Sequence, residues 1–535
     1  MSKTRKIFIL IFIILNLSKV SLGQNYDIEE ANDLLLSKSY NEAIIAFKQL
    51  LTTENSANLH YKLGLCYYHL DKKEQSIPSF ENAIKDIYGK YSLKNIALQY
   101  APIDAYYYLG RAHHVNGNLI LAFDFYNKFY ENAKKRHSLK YKSYLGILQC
   151  EVANELIKNK TTDMVWAVGD TLNTTLEESN PVISLDGTTI YFASSRLRTD
   201  LSNKNSIDPN TGNYYKDTYV SNRTENGTWT KPTLLPLSQL DINESPASLS
   251  PNGHQLLINH KALKGSNIAK SDIKNSTFTE LEAFPAKQLN TRNNDIDASL
   301  NFNEEYLYFS SNRRGGYGGY DLYRIRRLPD GSWSRATNLG EEINSKNDEV
   351  SPYIGLDNKT LHFSSNGEKS MGGFDIFVSK VNTIGEWSKP KNLGVPINST
   401  NDELSYSTIA NGSKGIYSTN RDEKTNHDLY FAQSSNSYYQ NVAILKGKIK
   451  TKNNSLLPKG ITIVVQDLTE NTKPQTFKPR IKDGGYILNL KPCHNYIINY
   501  VYDEKSFFKA EKLVPCNSSY QEIHQEVILD VINMP

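Results

Sequence analysis

The chain has 535 residues, enough for three or four domains, and 39% of them are hydrophobic, as in ordinary globular proteins. Its 61 basic and 57 acidic residues leave a net charge of +4, which is too small to indicate a nucleic-acid or membrane-surface partner. Tyrosine is abundant, with 35 copies against 4 of tryptophan, and it suits half-exposed strands because the ring packs while the hydroxyl stays hydrated.

Residues 1–23 have the features of a cleavable signal peptide. Three basic residues precede an apolar run at 7–15, and the small residues Ser21 and Gly23 mark a cleavage point. A run of this length spans only about half of a bilayer as a helix, so a retained anchor is the less favoured alternative. No later segment is apolar enough to span a membrane. We therefore expect an exported protein in the periplasm, with peripheral association with the outer membrane as an option.

Residues 24–160 have helical periodicity and internal repeats. Small and large residues recur 33 positions apart, in the pairs Ala31 and Gly64, Ala43 and Ser76, and Phe47 and Phe80. A third copy follows an extra dozen residues and has Gly110, Ala122 and Tyr126 at the equivalent positions. The period and the pattern resemble tetratricopeptide repeats, which stack into an all-α solenoid. The solenoid is expected either to bind a partner segment in its groove or to act as a spacer.

Two further features of this helical region lead to expectations. Pro78 lies within a predicted helix, where it removes a hydrogen-bond donor, so regular helix is less certain to be formed there. A last helix is expected near residues 141–157, where it would cap the stack.

Residues 161–437 contain five copies of a strand-rich repeat. An aromatic or apolar residue before a run of small polar residues marks each copy: Phe192, Ile258, Phe309, Phe363 and Tyr417. The later copies are roughly 54 residues apart, and an insertion rich in asparagine lengthens the first. About four short strands per copy predict a β-propeller, in which five blades are favoured and six are the alternative.

Each copy contains the same sequence of turns and strands. Asp186-Gly187 and its counterparts follow the first strand and predict a two-residue hairpin with positive φ. An aspartate begins the third strand, at Asp321, Asp375 and Asp428. A tryptophan leads into the last strand in three copies. We expect these residues to have structural roles in the blades.

Three motifs of the repeat also allow a functional interpretation. The stretch GGYGGY at 315–320 resembles a nucleotide-binding loop, but a strand follows it rather than a helix, so the glycines are expected to serve chain connection. The recurring aspartates are expected to accept backbone hydrogen bonds, with metal binding as the alternative. Arg196, Arg313 and Arg421 are expected to pair with local carboxylates, with a partner-binding face as the alternative.

Residues 438–535 alternate like the strands of a small β-sandwich. Cys493 and Cys516 lie in this segment and are the candidate disulfide of an exported protein. Cys66 and Cys150 lie in helical sequence and are expected in the core.

Signatures of catalysis and of cofactor binding are missing from the sequence. It has no GxSxG, no HExxH, no CxxC and no GxxxxGK[ST] motif. We therefore expect no catalytic residue, no metal and no cofactor. A hydrolase is kept only as a third hypothesis.

The order of parts adds a family resemblance to these observations. NPVISLDGTTIYFASSR and YFSSNRRGGYGGYDLY are similar to the PD40 (TolB-like) propeller repeat. A signal, tetratricopeptide repeats, a PD40 propeller and a carboxypeptidase-regulatory-like sandwich resemble the PorE-like multidomain envelope proteins of type IX secretion. Such proteins usually continue into an OmpA-like domain, and this sequence stops at VILDVINMP, about where that domain would begin. Natural loss, truncation and a separate wall anchor all remain open, and peptidoglycan binding is not expected of these residues.

The expected function is that of a non-enzymatic exported scaffold of the cell envelope. The resemblance implies envelope or secretion-system proteins as partners, bound through the tetratricopeptide groove and a propeller face, with no nucleic acid. The alternative is a periplasmic sensor that binds a glycan or cell-wall fragment in the propeller channel. The sandwich is expected to be a rigid spacer.

Overall fold

The computed structural model describes residues 26–530, except 71, 89–90, 96–97, 210, 263–264, 275–276, 423–426, 435–441, 453–455, 472, 482 and 517–520. The expected signal peptide lies outside the described residues. The chain divides into two compact units, residues 1–150 and 151–535, and each is described by itself. The expected domain limits at residues 160 and 437 stay predictions.

Seven helices are found among the described residues, and each contacts the next within the first unit. Their bounds are α1 (Ile28–Leu36), α2 (Tyr40–Leu50), α3 (Ala57–His69), α4 (Lys73–Ala83), α5 (Asp104–Val115), α6 (Leu119–Asn132) and α7 (Lys140–Lys158). Two of them begin with a side-chain cap, in which Asp27 accepts from the N–H of Glu30 and Ser56 from that of Leu59. α4 runs through Pro78, so the expected loss of regular helix there is wrong.

The repeated small and large residues form the contacts between these helices. An added Cβ on Gly64 would lie 2.6 Å from Cε1 of Phe80, and one on Gly146 would lie 2.5 Å from Cε2 of Tyr126. Phe47, Phe80 and Tyr126 are almost completely buried. The glycines therefore permit close helix packing around these rings. Membership of the tetratricopeptide family stays a prediction.

The extra dozen residues between the second and third helix pairs lie over the beginning of α3. Asn58 donates from its backbone to the carbonyl of Gln99 (3.0 Å) and from its side chain to that of Leu98 (2.7 Å). The hydroxyl of Tyr91 donates to Oδ1 of Asn58 (2.7 Å), and its ring packs edge-on against Tyr61. This segment covers one face of α3 that a partner would otherwise reach.

The second unit begins with five four-stranded antiparallel sheets, here named blades 1 to 5 in chain order. From first to fourth strand they are, for blade 1, β2 (Glu178–Ile183), β3 (Thr189–Ser194), β4 (Asp217–Asn222) and β5 (Thr233–Leu234); for blade 2, β6 (Glu244–Leu249), β7 (Gln255–Ala262), β8 (Gly265–Lys274) and β10 (Glu282–Ala283), with β9 (Thr277–Phe278) beside β8; for blade 3, β11 (Asp295–Leu300), β12 (Tyr306–Ser311), β13 (Asp321–Arg326) and β14 (Thr337–Asn338); for blade 4, β15 (Glu349–Ile354), β16 (Thr360–Ser365), β17 (Asp375–Lys380) and β18 (Lys391–Asn392); and for blade 5, β19 (Glu403–Thr408), β20 (Lys414–Thr419), β21 (Asp428–Gln433) and β1 (Met164–Ala167).

The blades form a ring. The first strand of each blade contacts the first strand of the next, and β19 of blade 5 contacts β2 of blade 1. The fourth strand of blade 5 is β1, which comes from the beginning of the unit and pairs Trp166 with Phe431. Joining both ends of the chain segment in one sheet closes the ring and leaves only short edge strands. This is the β-propeller arrangement, and the described residues contain five blades, the favoured number.

The turns after the first strands differ from the expected two-residue hairpins. Gly187 has a φ of 71°, but Asp186 before it is not among the positive-φ residues. Ser184 donates to the carbonyl of Thr189 (2.9 Å), and Gly187 donates back to Ser184 (2.8 Å). The loop thus has four residues, and only its glycine needs the left-handed region. The expected two-residue geometry is wrong, because Asp186 bonds to Thr188 instead of joining a tight turn.

The last part of the unit consists of two sheets that share one hydrophobic core. One sheet contains β25 (Gly485–Leu490), β22 (Ala443–Thr451) and β28 (Gln521–Leu529), and the other contains β24 (Gln475–Phe477), β23 (Thr462–Asp467), β26 (Asn495–Tyr502) and β27 (Lys505–Leu513). We call these seven strands the sandwich. A disulfide joins Cys493 and Cys516, whose Cα atoms are 4.4 Å apart. Cys66 and Cys150 are free and buried.

No helix of the part of the chain that the structure describes has the length and apolar content needed to cross a bilayer.

Candidate functional site

Each first strand of the propeller begins with a buried carboxylate, at Glu178, Glu244, Asp295, Glu349 and Glu403. In blade 3, Asp295 accepts from the N–H and the hydroxyl of Thr291 (3.2 and 3.3 Å) and from the hydroxyl of Ser311 (2.6 Å). Blades 1, 4 and 5 contain the same set of bonds. These carboxylates connect the loop before the blade to the end of its second strand.

The three predicted arginines bond to these carboxylates. Nη2 of Arg313 lies 2.8 Å from Oδ1 of Asp295, and Arg196 and Arg421 make equivalent pairs in blades 1 and 5. The Arg313 guanidinium also lies over the rings of Phe309 and Tyr323, 4.8 and 5.0 Å from their centroids. Phe192 and Tyr417 contact the other two arginines in the same way. The local pairing that we expected describes these residues, and the partner-face interpretation does not.

Blade 4 keeps the aromatic pair but has no arginine. Phe363 stacks on Phe377 with ring centroids 5.9 Å apart, and Gly367 stands at the arginine position. Met371 is buried to 1% exposure there, whereas its blade 3 counterpart Tyr317 is half exposed.

The recurring aspartates of the third strands accept hydrogen bonds at turns. Asp321 accepts from the N–H groups of Tyr317 (2.7 Å) and Gly318 (3.0 Å), and Asp375 accepts from that of Met371 (2.8 Å). Asp428 is buried at the same position of blade 5. Over the described residues, no three histidine, cysteine or acidic side chains gather as metal ligands would.

The glycines of GGYGGY serve packing between blades. A Cβ on Gly318 would collide with the carbonyl oxygen of Asn347, and one on Gly319 with the carboxylate of Asp348. Both neighbours belong to the loop that leads into blade 4. The strand β13 follows directly, so no helix N-terminus meets a phosphate here.

One repeated motif was missed by the sequence reasoning. Asn344 donates to the carbonyl of Leu322 (3.0 Å) and accepts from its N–H (2.7 Å), which ties the loop before blade 4 to blade 3. Asn173, Asn290 and Asn398 bond the same way in their blades. The strings NTRNND, NSKNDE and NSTNDE were the available signal.

The central channel of the ring is closed by polar side chains. Ser351 donates to Oδ2 of Asp297 (3.0 Å) and lies 3.3 Å from the hydroxyl of Ser405. Asn180 donates to Ser405 (3.2 Å), and Asn259 donates to Oδ1 of Asp297 (2.7 Å). Burial raises the pKa of Asp297, although these donors favour its charge. The void left here is about 20 Å³, which is room for one water molecule.

The sandwich covers one end of the ring, so it is not the spacer that we expected. It reaches the loop between the first and second strands of every blade, which we call the covered end. The contacting loop residues are Asp186, His254, Phe302, Leu356 and Ala410. The guanidinium of Arg480 pairs with Asp186, and Asn489 donates to the carbonyl of Leu356 (3.1 Å).

Two consequences follow at the covered end. Burial alone would raise the pKa of Asp186, but the charge of Arg480 and the bonds from Ser184 and Thr188 outweigh it and hold that pKa below its ordinary value. A cavity of about 110 Å³ remains between propeller and sandwich. It is smaller than the ~300–1,000 Å³ of typical small-molecule sites.

The opposite end, which we call the open end, contains the long insertion of blade 1, residues 195–216. Arg198 forms a buried ion pair with Asp217 (2.6 Å). The hydroxyl of Ser206 donates to Oδ1 of Asp241 (2.6 Å), and the loop before blade 2 thereby anchors the insertion. Asn243 completes the anchor by donating to Asp208 (2.7 Å) and by accepting from the N–H of Lys216 (2.8 Å).

Aliphatic side chains are exposed on the insertion and on its anchoring loop. Leu201 is 53% exposed, Ile207 43% and Leu240 48%, and Leu197 is also exposed. Ile207 and Leu240 each adjoin one member of the Ser206–Asp241 bond, so the two loops bring them together. We call Leu197, Leu201, Ile207 and Leu240 the open-end patch.

Blade 2 departs from the carboxylate pattern. Leu240 replaces the hydroxyl residue before Glu244, His260 replaces the serine of the second strand, and Ala262 replaces the arginine. Glu244 is 1% exposed, and neither of its oxygens accepts a well-formed hydrogen bond in the described region. His260 Nε2 lies 3.5 Å from its Oε1. Burial raises the pKa of Glu244 to about 7.

Comparisons with known proteins add little to this geometry. No family model and no curated protein matches the sequence. Similar solved structures include TolB from Acinetobacter baumannii (15% identity, 50% of this chain, 57% of that chain, TM-score 0.30). Others are an alpha-L-arabinofuranosidase from Lactobacillus brevis (11%, 50%, 94%, 0.34) and an endo-arabinase from Bacteroides thetaiotaomicron (16%, 49%, 95%, 0.34). At such identities and TM-scores the similarities carry no argument about activity, ligand or partner.

Proposed function

We propose that the chain is an exported, non-enzymatic scaffold of the bacterial cell envelope that binds a protein partner at the open end of its propeller. The observation that carries the proposal is the difference between the two ends of the ring. The sandwich occupies the covered end through a loop of every blade. The open end has an ordered insertion with exposed aliphatic side chains. Exposed apolar clusters on otherwise polar surfaces are typical of protein-binding sites.

The small size of the channel supports a scaffold over a glycan sensor. A sugar in the channel would need the ring of Asn180, Asp297, Ser351 and Ser405 to open, and these side chains bond to one another. The void among them has room for about one water molecule. No enzymatic role is proposed, because the buried acids and arginines of the blades bond to each other and to backbone groups.

Two finer parts of the proposal have less support. The first is a second partner in the groove of the helical unit, where residues 98 and 99 already bond to Asn58. The second is association with type IX secretion, which is supported only by the resemblance in domain order.

A capture experiment with matched variants tests the proposed face. The triple variant Leu201→Ser, Ile207→Ser, Leu240→Ser removes most of the apolar surface of the open-end patch. We expect it to recover partner protein from envelope extract at least about tenfold less than the unmodified chain, because each side chain contributes on the order of 1 kcal/mol when buried. Quantitative mass spectrometry of the bound fraction measures the change.

The control changes exposed aliphatic side chains at the other end of the blades. Leu328 and Ile384 are exposed in loops between third and fourth strands. Leu328→Ser with Ile384→Ser is expected to leave recovery unchanged. Equal recovery by the triple variant and the unmodified chain would exclude the open-end patch as the binding surface.

A further inference from the structure

Four of the five equivalent carboxylates of the propeller have a full set of donors, and one does not. Glu178, Asp295, Glu349 and Glu403 each accept from a backbone N–H and from two hydroxyl groups. Glu244 has lost the counterpart of each donor through Leu240, His260 and Ala262. A buried carboxylate that lacks donors is stable only when it is protonated.

The position of Glu244 connects it to the insertion. Its backbone N–H donates to the carbonyl of Lys216, the last residue of the insertion (2.9 Å). Asn243, directly before it, bonds both Asp208 and the N–H of Lys216. Asp241 bonds Ser206. A movement of residues 241–244 would therefore break all of these anchors together.

The charged groups near Glu244 offer little compensation for its ionisation. His260 is its cross-strand partner, and burial lowers the pKa of that histidine, so it is mostly neutral at neutral pH. Asp217 from blade 1 opposes the ionisation of Glu244, and Arg198 beside it is already paired with Asp217. Weak contacts with the hydroxyl of Ser238 and the N–H of Gln239 favour the charged form only in part.

The remaining charges near β6 are already bonded. Among the other elements packed against this strand, β2 contributes Glu178, which is paired with Arg196. The strand β11 contributes Asp295, paired with Arg313, and Asp297, bonded to Asn259 and Ser351.

We propose that Glu244 is a proton-dependent anchor of the insertion. With Glu244 protonated, residues 241–244 hold the insertion against blade 2. With Glu244 ionised, the carboxylate moves toward water, the bonds of Asp241 and Asn243 are lost, and the insertion becomes mobile. This regulation rests on the proposed function, because the insertion contains most of the open-end patch, and partner binding would weaken as the pH rises.

A spin label on the insertion tests the anchor without any partner. Asn205 is exposed, and Cys66 and Cys150 are buried, so a nitroxide on Asn205→Cys reports this loop. With a pKa of about 7, Glu244 is about 3% ionised at pH ~5.5 and about 97% at pH ~8.5. We expect the mobile fraction of the spectrum to rise across this range with a midpoint near pH 7.

Two variants assign the transition to its group. Glu244→Gln cannot ionise, and we expect its label to stay immobile at every pH. His260→Gln removes the other titratable group, and we expect the transition to persist. A mobile fraction that does not change with pH in the unmodified chain, a transition that survives Glu244→Gln, or one that disappears with His260→Gln would each overturn the proposal.

The same variants separate this proposal from the proposed function. If the anchor is real, capture of partner protein at pH ~6 should exceed capture at pH ~8 by about threefold or more in the unmodified chain. In Glu244→Gln the two should be equal. Capture that depends on the open-end patch but not on pH would overturn the anchor and leave the scaffold proposal standing.

Discussion

Replacing Arg313 by alanine is expected to lower the free energy of unfolding of the propeller by about 3 kcal/mol. The change leaves Asp295, whose side chain is completely buried, without its cationic partner. It also removes the guanidinium that lies over Phe309 and Tyr323. Calorimetric unfolding of the full chain measures the loss.

The neighbouring arginine provides a matched control. Arg314 is exposed and follows Arg313 directly in the RRGGYGGY stretch. Arg314→Ala is expected to change stability by less than about 0.5 kcal/mol. If both variants were equally stable, and Arg313→Ala instead lost partner capture, the arginines would belong to a binding face and their structural assignment would be wrong.

Replacing Lys62 by methionine is expected to stabilise the helical unit by about 2 kcal/mol at neutral pH. Lys62 is completely buried in α3, and among the described residues no group hydrogen-bonds its Nζ. Burial lowers its pKa from 10.5 to about 8. Methionine has a similar length and no charge to bury.

The same substitution changes the pH dependence of stability. Between pH ~8 and ~10.5 the unfolded chain holds a proton on Lys62 that the folded chain has lost, so the stability of the unmodified protein rises with pH across this window. Below pH ~8 both states are protonated, and that stabilisation is absent. Lys62→Met should remove this rise. Thermal unfolding followed by far-ultraviolet circular dichroism at pH ~7 and ~9.5 measures both effects, with Lys135→Met as the exposed control. A lower melting temperature for Lys62→Met at neutral pH would contradict the assignment of an unpaired buried charge.

The sequence was informative where side chains repeat at a fixed interval. The marker aromatics Phe192, Phe309, Phe363 and Tyr417 all lie in second strands and are almost completely buried. The small and large residues of the helical repeats contact each other as their spacing indicated. Such contacts recur once per repeat, so one pattern describes all of them.

Contacts between distant parts of the chain were not predictable in this way. The ring closes through β1 and β21, and Asn173 bonds Leu429 at a separation of 256 residues. The sandwich covers the propeller through Arg480 and Asp186, each of which has only local neighbours in the sequence. The edge strand β27 was missed because KSFFKAEKL is rich in lysine and does not alternate.

The candidate site was the least predictable part. The insertion reads as a polar loop in the sequence, and only its bonds to Asp241 and Asn243 show that it is ordered and lies at the open end. Glu244 resembles the other four acids until the donors around it are compared. Its difference depends on three residues that are distant from one another in the sequence.

Photo-crosslinking in living cells tests the central claim, that a protein docks at the open end of the propeller. A photoreactive residue is placed at Ile207 in the open-end patch and, in a second strain, at Ile384, which is exposed in a loop on the covered end's side of the blades. The account predicts a discrete protein adduct from position 207 and none from position 384, and loss of the adduct when Leu201 and Leu240 are changed to serine. Adducts from position 384 with none from position 207 would contradict the account, as would the absence of protein adducts at both positions.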